Sequence, residues 1–424
     1  MTLSDGSPAV TDAVNEVKRR GFLARSAAAV MGTSSRADRD SALMRAASSI
    51  EARSREILVA NDKDLAAFSG SDALRDRLLL NERRVREMAE SMRAIVSLPD
   101  PVGEVIESWT TTTGLQIKRI RVPFGVIAVI YEARPNVTAE VTALALRSGN
   151  SIILRGGSEA INSNKAIVKV IRAAIADSVP EDGVQLVENT DRSGVKAILS
   201  AEGLIDLVVP RGSAEFIRYV RDNAKVPFIE TGAGNNHIFV DKGADLEMAT
   251  RVIINAKVQR PSVCNAVRKL LIHQDLAAAY VPTIVARLWG SGVRVKGCDR
   301  VMNITPDVEE ATEDDWQKEY MDLTIAIKVV GSLKEAAEHI NRYGSKHSEA
   351  IITGDPSAAA EFTSLVDAST VLVNASTRLV DGGVFGFGTE VGISTQKLHS
   401  RGPMGLRDLT TTKFVVTGNG QIRE

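Results

Sequence analysis

The chain has 424 residues, 44% of them hydrophobic, which is enough for a large core and for two or three domains. It carries 52 basic and 53 acidic residues and only 4% aromatic residues, so neither a basic surface nor stacking platforms point to nucleic acid. Two cysteines exclude a disulfide framework and favour a reducing compartment. Met1–Lys18 has no signal-peptide core, and apolar runs such as Val126–Ile130 are strand-sized. We therefore expect a soluble, cytoplasmic protein without a membrane span.

Helical periodicity dominates the first hundred residues. Apolar residues recur three and four positions apart in three segments, Asp12–Met31, Ser35–Ala60 and Glu82–Leu98. Ser34, Ser35 and Asp62 are predicted helix caps. We expect a helical layer that packs on another part of the fold and carries no chemistry.

A β-type stretch, Ser108–Arg121, follows a break in the helical pattern at Pro99–Pro101. Four consecutive threonines, a turn at Gly114 and alternating polarity beyond it predict a two-stranded hairpin. The final alternating segment, Thr412–Thr417, is predicted to pair with this hairpin. Because the hairpin lies outside the pattern that follows, we interpret it as an oligomer contact.

From Pro123 onward, apolar strands alternate with helices. The predicted strands are Gly125–Tyr131, Ser151–Arg155, Val184–Val187, Leu204–Pro210 and the start of another at Phe228 and Ile229. Such alternation is typical of a parallel sheet covered on both faces. Glycine-containing turns follow two of these strands, at Gly156–Ser158 and at Gly212–Ser213, where parallel sheets bind nucleotides.

A second series of strands and helices begins after Asn236. Its predicted strands are Ile238–Val240, Arg268–His273, Val293–Val295, Thr324–Val330, Glu349–Thr353 and Thr370–Val373. We therefore predict an α/β fold with two parallel-sheet domains.

Cys264 lies on a loop between a predicted helix, Leu246–Ala256, and the strand that begins at Arg268. A thiol on a loop between two regular elements suits a nucleophile. The alternative is a small buried residue, since free cysteine is among the most buried residue types. The loop alone leaves both interpretations open.

Longer motifs carry a family resemblance. They are Tyr131–Asn136 (YEARPN), Gln259–Asn265 (QRPSVCN), Asn374–Arg378 (NASTR) and the segment from Ser394 to Gly405 that begins STQKLH. In this order they resemble the gamma-glutamyl phosphate reductases, a family of the aldehyde dehydrogenase superfamily. The resemblance extends over essentially the whole chain.

The resemblance implies an aldehyde-dehydrogenase-like fold, with two doubly wound parallel-sheet domains and a small β oligomerisation hairpin. The expected NADP-binding domain comprises residues 1–106 and 123–228. The expected catalytic domain comprises residues 229–400 and carries the Cys264 loop. The expected oligomerisation element comprises residues 107–122 and 407–424.

The reaction implied by the resemblance is the NADPH-dependent reduction of L-glutamyl 5-phosphate to L-glutamate 5-semialdehyde and phosphate, the second step of proline biosynthesis. Cys264 would attack the acyl phosphate and form a thioester. The side-chain amide of Asn136 and the backbone N–H of Cys264 would bind the oxyanion. Asn136 has an alternative interpretation as a helix N-cap after Pro135.

The cofactor expected from the resemblance is NADP(H). The predicted cofactor-binding residues are Arg155, Gly156, Gly157, Ser158, Gly212, Ser213 and Glu319. Ser158 stands where superfamily members that prefer NAD often have a glutamate, so a 2′-phosphate meets less repulsion and Arg155 can pair with it. Glu319 aligns with the carboxylate that binds the nicotinamide ribose, or is simply a solvated charge.

The substrate carries an α-carboxylate and a phosphate, which suit forked cationic side chains. The predicted substrate-binding residues are Arg134, Arg260, Asn265, Ser376, Thr377 and Arg378, and Lys397 and Arg401 lie in the same motifs. Asn265, Ser376 and Thr377 each have an alternative as loop caps. The motifs leave open which cation binds which anion, and no metal site is predicted.

Two further functions stay open at this point. Glu230 stands where hydrolytic aldehyde dehydrogenases keep the base that activates water, so such a dehydrogenase is the alternative enzyme. A non-catalytic scaffold subunit is the alternative outside enzymes, although Cys264 and Asn136 are both present.

We expect a homo-oligomer, with glutamate 5-kinase as the candidate protein partner because it would supply the labile acyl phosphate. Asn236 replaces a second cysteine found in many family members, and Cys298 lies in no matching motif.

Overall fold

The computed structural model describes residues 8–423 and divides the chain into two compact units. The first unit runs to Glu230 and also includes Gly386–Gly392 and the chain from Met404 onward. The second unit consists of Thr231–Phe385 and Ile393–Pro403. The functions assigned to the predicted domains remain predictions.

The helices of the described residues are numbered in chain order. They are α1 (Pro8–Met31), α2 (Arg36–Ala52), α3 (Ser54–Ala67), α4 (Asp72–Leu78), α5 (Glu82–Val96), α6 (Pro135–Arg147), α7 (Ile161–Ile175), α8 (Arg192–Leu199), α9 (Ala214–Asn223), α10 (Leu246–Val258), α11 (Gln274–Gly290), α12 (Asp299–Ile304), α13 (Glu313–Gln317), α14 (Leu333–Tyr343) and α15 (Pro356–Leu365).

The strands follow the same numbering. They are β1 (Val105–Thr110), β2 (Gln116–Pro123), β3 (Val126–Ile130), β4 (Ser151–Arg155), β5 (Val184–Leu186), β6 (Leu207–Pro210), β7 (Asn236–Val240), β8 (Val267–His273), β9 (Arg294–Gly297), β10 (Glu309–Glu310), β11 (Thr324–Val330), β12 (Ser348–Ile352), β13 (Thr370–Val373), β14 (Ile393–Ser394), β15 (Gly402–Pro403) and β16 (Thr410–Thr417).

A four-stranded parallel sheet, in the order β5-β4-β3-β6, forms the centre of the first unit. Side chains of β3 alternate between its two faces. Ile127 and Val129 pack with helices α2, α3, α5, α6 and α7, whereas Val126 and Ala128 pack with α1, α8 and α9. Both faces of the sheet are therefore covered, as the continuous apolar strands predict.

The predicted hairpin and its third strand form a separate antiparallel sheet in the order β1-β2-β16. Thr110 pairs with Gln116 across the turn, where Gly114 has a φ of +83°, a conformation that glycine adopts without steric cost. The expected pairing of the C-terminal strand with the hairpin is confirmed.

The second unit contains a seven-stranded sheet in the order β10-β9-β11-β8-β7-β12-β13, with all its neighbours parallel. Ile238 and Leu270 pack on the face covered by α10 and α11. Phe239 and Leu271 pack on the face covered by α14 and α15. The α/β fold class is confirmed.

Several local expectations are wrong. Ser35–Ala60 is two helices, because Arg53 leaves the helical region with φ −107° and ψ 23°. Ser35 does cap α2, accepting a hydrogen bond from the Asp38 N–H over 3.1 Å, but Asp62 lies inside α3. Phe228 forms a single parallel bridge with Val208 rather than the start of a strand.

None of the helices within residues 8–423 combines the length and the apolar composition that crossing a bilayer requires.

Candidate active site

The predicted cofactor-binding residues of the first unit follow strand ends that meet at one edge of its sheet. Ile130 at the end of β3 pairs with Arg155 at the end of β4 and with Pro210 at the end of β6. The turns at Gly156 and Gly212 therefore leave the same carboxyl edge, where parallel sheets bind ligands.

The turn after β4 combines glycines with one carboxylate. A Cβ on Gly157 would lie 2.5 Å from Oε2 of Glu159. Oε1 of Glu159 accepts a hydrogen bond from the Ala133 N–H over 3.2 Å, and the exposed Ser158 donates to Oε2 over 3.3 Å. The Glu159 carboxylate thus folds back against its own turn and occupies space that a larger residue at position 157 would need.

The guanidinium group of Arg155 is anchored to a neighbouring loop. Its Nη2 donates to the backbone carbonyls of Thr190 and of Asp191, the latter over 3.2 Å. Burial lowers the pKa of Arg155, and the charges of Glu159 and Asp191 oppose that effect. Nε of Arg155 is buried and has no hydrogen-bond partner within residues 8–423. A cation with an unused donor therefore stands at the carboxyl edge.

The turn after β6 leads into α9. Ser213 is the N-cap of this helix and accepts a hydrogen bond from the Phe216 N–H over 3.3 Å. A Cβ on Gly212 would lie 2.8 Å from the Phe216 ring and 3.0 Å from the Glu132 carboxylate. Position 212 consequently favours glycine. The N-terminus of α9 lies at the carboxyl edge of the sheet and is capped by Ser213.

Asn136 does not cap α6. The N-cap residue is Arg134 and Pro135 occupies the first helical position, so Asn136 lies within the first turn. Its side-chain amide donates to Glu140 over 2.9 Å. Burial raises the pKa of Glu140, while Asn136 and the charges of Arg211 and Arg134 oppose the change. The capping interpretation of Asn136 is wrong, and an amide carries two N–H donors, of which Glu140 takes one.

The Cys264 loop in the second unit begins where α10 ends. Proline has no N–H and disfavours helical geometry in the residue before it, so Pro261 ends the helical segment. The loop then turns through Val263 and Cys264 into β8, every residue of which is buried. Cys264 itself is partly exposed and is not joined to Cys298.

Two residues before and within β7 hold the backbone of Cys264. Asn236 is fully buried, and its side-chain amide donates to the carbonyl oxygens of Cys264 over 2.7 Å and Ala266 over 2.9 Å. Gly234 lies against the same carbonyl, since a Cβ there would fall 1.5 Å from the Cys264 oxygen. The loop is therefore fixed by an amide that binds its carbonyls and by a close backbone approach that only glycine permits.

Glu319 lies in the same network. Its Oε1 accepts a hydrogen bond from the Gly234 N–H over 2.9 Å and lies 3.7 Å from the guanidinium of Arg268. Nη2 of Arg268 donates to the Val263 carbonyl over 2.7 Å. A carboxylate predicted to bind the cofactor ribose thus also contacts residues that support the Cys264 loop.

The predicted substrate-binding residues Asn265 and Arg378 bind each other. The Arg378 guanidinium donates to Oδ1 of Asn265 and, over 2.8 Å, to Oε1 of Gln259. The Asn265 amide donates to the Val380 carbonyl over 2.8 Å. Burial lowers the pKa of Arg378, as does the nearby charge of Arg260, whereas the Cys264 thiolate opposes the change. These interactions hold Arg378 against Asn265, the residue that follows Cys264.

Ser376 and Thr377 precede Arg378 in a short 3₁₀ turn. The Ser376 hydroxyl donates to Oδ1 of Asn255 over 2.7 Å and accepts a hydrogen bond from the Arg378 N–H over 3.3 Å. Thr377 is fully buried, and its hydroxyl has no partner among the described residues. Ser376 consequently acts as a cap in this structure, and the Thr377 hydroxyl retains its hydrogen-bonding capacity.

Lys397 and Arg401 belong to a different cluster. Asp367 lies 2.9 Å from Lys397, 2.7 Å from Arg401 and 3.3 Å from Lys346. These three cations, with Lys397 the largest influence, hold the pKa of the Asp367 carboxyl well below its usual range. Both motif cations are therefore engaged with a carboxylate of the protein.

Glu230, the residue in the position of the hydrolytic base, binds Arg221 in the first unit. The guanidinium of Arg221 donates to Oε1 of Glu230. The ion pair lies at the end of the first unit.

Sequence reasoning did not assign a role to Gly234, Asn236 or Arg268. Asn236 stood out only because it replaces a cysteine, and its partners lie 28 and 30 residues away. The sequence carries one signal for Arg268, which is that Arg268 and Lys269 are adjacent charges inside an apolar strand. Such charges are costly to bury without partners, so their presence indicates specific contacts.

The aldehyde dehydrogenase family matches residues 10–324 of the chain. The chain is 53% identical over 413 residues to the gamma-glutamyl phosphate reductase of Moorella thermoacetica, which covers 96% of this chain and 99% of that protein. The crystal structure of gamma-glutamyl phosphate reductase from Thermotoga maritima is similar with a TM-score of 0.95 and 51% identity, covering 96% of this chain and 100% of that one. An acetylating aldehyde dehydrogenase from Geobacillus thermoglucosidasius shares the fold at 15% identity, with a TM-score of 0.72 over 98% of this chain and 99% of that one.

Proposed function

This chain belongs to the aldehyde dehydrogenase family and, within it, to the gamma-glutamyl phosphate reductases, and from that membership we propose its reaction and its site. The enzyme reduces L-glutamyl 5-phosphate to L-glutamate 5-semialdehyde and phosphate, the second step of proline biosynthesis. The observation that carries the assignment to the site is the Cys264 loop, whose backbone is fixed by Asn236 and Gly234 beside the cation Arg378.

Cys264 is the proposed nucleophile. Its thiolate forms a C–S bond to the acyl carbon, and the C–O bond to the phosphate breaks, so phosphate leaves with the electron pair. A fixed loop backbone supports this step because a nucleophile must hold its attack geometry closely. Reduced nicotinamide, when bound, supplies the hydride that reduces the thioester. Cleavage of the C–S bond then releases the aldehyde and restores the thiolate.

Asn136 is the proposed side-chain donor to the oxyanion that both steps create, together with the backbone N–H of Cys264. Its engagement with Glu140 supports this role, since one hydrogen bond orients the amide and leaves its second N–H to donate.

The aldehyde dehydrogenase family uses a nicotinamide cofactor, and we assign NADP(H) to this chain. The residues present fit such a cofactor, because glycine turns at one sheet edge allow a close backbone approach and α9 presents a helix N-terminus. Gly156, Gly157, Gly212 and Ser213 would contact the cofactor phosphates, and Glu319 the nicotinamide ribose. Arg155 and Ser158 favour a 2′-phosphate, one by its charge and the other by the absence of a carboxylate.

Arg260 and Arg378 are the proposed cations for the two anionic groups of the substrate, with Asn265, Ser376 and Thr377 as polar contacts and Arg134 as the corresponding cation of the first unit. Arg260 is exposed and Arg378 is partly exposed, so both can reach a ligand. The Asn265–Arg378 pair supports this assignment by holding the guanidinium near the thiol.

We also propose that the β1-β2-β16 sheet is the contact of a homo-oligomer. Trp109 and Phe414 meet edge to face with ring centroids 6.2 Å apart, and both are exposed, as is Val416. A contiguous apolar surface of this kind is typical of a protein interface. A monomeric mass at micromolar concentration would refute the assignment. Glutamate 5-kinase remains the proposed supplier of the substrate, and the cytoplasm the proposed location.

The reverse reaction tests the proposed function. Glutamate semialdehyde, NADP and the protein are mixed with and without inorganic phosphate, and NADPH formation is followed. We expect NADPH to form only when phosphate is present, because phosphate must accept the acyl group from the thioester. We expect Cys264→Ala to form no NADPH. Equal rates without phosphate would make water the acceptor and the protein a hydrolytic dehydrogenase. The engagement of Glu230 with Arg221 favours the phosphate-dependent outcome.

A further inference from the structure

Arg268 is a fully buried charge in the middle of the second unit. It lies with Lys269 in β8, a strand without an exposed residue. Burying a charge is costly unless it is paired and hydrogen-bonded. Two adjacent buried cations in one strand therefore need separate explanations.

Lys269 is explained by local contacts. Its Nζ donates to the Lys318 carbonyl over 2.7 Å and lies 4.6 Å from the centre of the Tyr320 ring. A carbonyl and an aromatic face are ordinary partners for a buried ammonium group. Lys269 thus supports the segment between α13 and β11.

Arg268 has a different set of contacts, one of which is to the predicted nucleophile loop. Nη2 donates to the Val263 carbonyl over 2.7 Å, and the guanidinium lies 3.7 Å from Oε1 of Glu319. Nε and Nη1 are buried and have no hydrogen-bond partner in the described part of the chain. One hydrogen bond to a carbonyl, one contact with the Met321 sulfur over 3.9 Å and one ion pair with Glu319 are the contacts of this buried guanidinium among the described residues.

Arg268 binds the carbonyl of Val263, the residue before Cys264, so its charge lies close to the Cys264 loop. Burial lowers the pKa of Arg268, and the negative charges of Glu319, the Cys264 thiolate and Asp322 oppose the change. Because a guanidinium stays protonated in proteins, Arg268 supplies a permanent positive charge. An opposite charge nearby favours the thiolate over the thiol.

We propose that Arg268 is a positioning residue for Cys264, which anchors the loop through the Val263 carbonyl and places a buried positive charge beside the thiolate. The proposal rests on the assignment of Cys264 as the nucleophile. It adds to the proposed function a side chain that acts through the Cys264 loop and favours the thiolate form of Cys264 before cofactor or substrate binds. Glu319 partly neutralises that charge, so the carboxylate and the guanidinium act on the thiol with opposite signs.

Other charged groups also contribute to the electrostatic environment of Cys264 and Arg268. Arg378, with Arg260 and Asp381 beside it, faces the thiol from the loop after β13. The charges facing Arg268 from the neighbouring elements are Lys257 of α10, Lys269 of β8, His347 before β12 and, before β11, Glu319 and Asp322.

The pH dependence of Cys264 alkylation by iodoacetamide tests the proposal on the full-length protein without cofactor or substrate. The chain has only two cysteines, so Cys298→Ser leaves Cys264 as the single thiol. Cys298 is the N-cap of α12, a position that favours serine. In this background Arg268→Gln keeps a donor for the Val263 carbonyl but removes the charge, and Arg268→Lys keeps the charge. Lys269→Met is the matched control, a buried cation lost from the same strand.

We expect Arg268→Gln to raise the thiol pKa read from the alkylation profile by about one unit, which slows alkylation about tenfold below that pKa. Arg268→Lys and Lys269→Met should leave the profile close to that of the Cys298→Ser protein. Glu319→Gln should lower the thiol pKa, because the charge of Arg268 is then no longer opposed. Misfolding would move the thiol pKa toward the same unperturbed value in both variants, so opposite shifts in Arg268→Gln and Glu319→Gln separate the effect of charge from misfolding.

An unchanged profile in Arg268→Gln, a Lys269→Met shift of equal size, or an unchanged profile in Glu319→Gln would overturn the proposal. These outcomes are independent of the reaction itself. A protein that fails the phosphate test but shows the alkylation shifts would contradict the proposed function and keep the role of Arg268.

Discussion

Asn236 donates a hydrogen bond from its side-chain amide to the carbonyl oxygen of Cys264 over 2.7 Å, although 28 residues separate them in sequence. The same amide also binds the Ala266 carbonyl, so a single side chain spans the residues on either side of Asn265. The loop that carries the proposed nucleophile is consequently shaped by a residue at the start of a neighbouring strand.

Asn236→Ala should reduce both activity and stability. Two buried carbonyls lose their donor, which costs about 1–3 kcal/mol of unfolding free energy for each unsatisfied group. Displacement of the thiol should lower kcat by roughly ten- to a hundredfold, because attack geometry tolerates little error. Steady-state kinetics and thermal unfolding measure the two effects.

Asn61→Ala provides the matched control for Asn236. Asn61 is equally buried and donates to the Leu78 carbonyl over 2.9 Å within the first unit. It should lose comparable stability while the folded enzyme keeps its kcat. Equal losses of kcat in both variants would show that Asn236 has only a general structural role.

Gly234→Ala should abolish most activity. A Cβ at this position would lie 1.5 Å from the Cys264 carbonyl oxygen, and a backbone atom cannot move aside as a flexible side chain can. Gly290→Ala is the control, because nothing lies within 4 Å of a Cβ built there at the end of α11. The control should keep its kcat and its melting temperature, and a Gly234→Ala enzyme with normal kcat would refute the close approach.

Ser158→Glu should shift cofactor preference away from NADP. The new carboxylate repels a 2′-phosphate and can accept hydrogen bonds from a 2′-hydroxyl instead. We expect kcat/KM with NADP to fall about ten- to a hundredfold and the value with NAD to fall less. The ratio of the two values is the measurement, and an unchanged ratio would remove Ser158 from the set of specificity residues.

Acid should destabilise the second unit through its buried histidines. Burial lowers the pKa of His347 from 6.5 to about 4, with the charge of Arg268 adding to the effect, and lowers the pKa of His339 to about 2. Because the folded state binds fewer protons than the unfolded state, stability is lost as the pH falls below 6.5. At about 1.4 kcal/mol per pH unit, His347 alone removes about 3 kcal/mol by pH 4.

His347→Gln should therefore flatten the dependence of the unfolding free energy on pH between 6.5 and 4. His399→Gln is the control, the same change of residue type at an exposed histidine. Denaturant unfolding at several pH values provides the measurement. Parallel curves for the wild type and His347→Gln would assign the acid sensitivity to other groups.

The strands were the most predictable part of the fold. Thr324–Val330 and Thr370–Val373 were predicted with their observed bounds, because short runs rich in β-branched and apolar residues between turns favour strands. The break at Arg53 escaped prediction because neither glycine nor proline marks it. Packing rather than local sequence separates α2 from α3.

The candidate site was predictable where a motif carries it. Cys264, Asn265 and Arg378 were identified from their strings, and the structure brings the last two into direct contact. Asn236 and Arg268 were missed because their roles depend on partners that only the fold brings near. A hydrogen bond between β7 and a loop after α10 leaves no local pattern in the sequence.

Trapping the acyl group on the protein is the most direct test of the central claim that Cys264 carries a thioester. The protein is mixed with glutamate semialdehyde and NADP without phosphate, denatured in acid, digested and examined by mass spectrometry. We expect a glutamyl group on the peptide that contains Cys264, and we expect it to disappear when phosphate is added before denaturation. Formation of NADPH without any acyl group on that peptide would contradict the account.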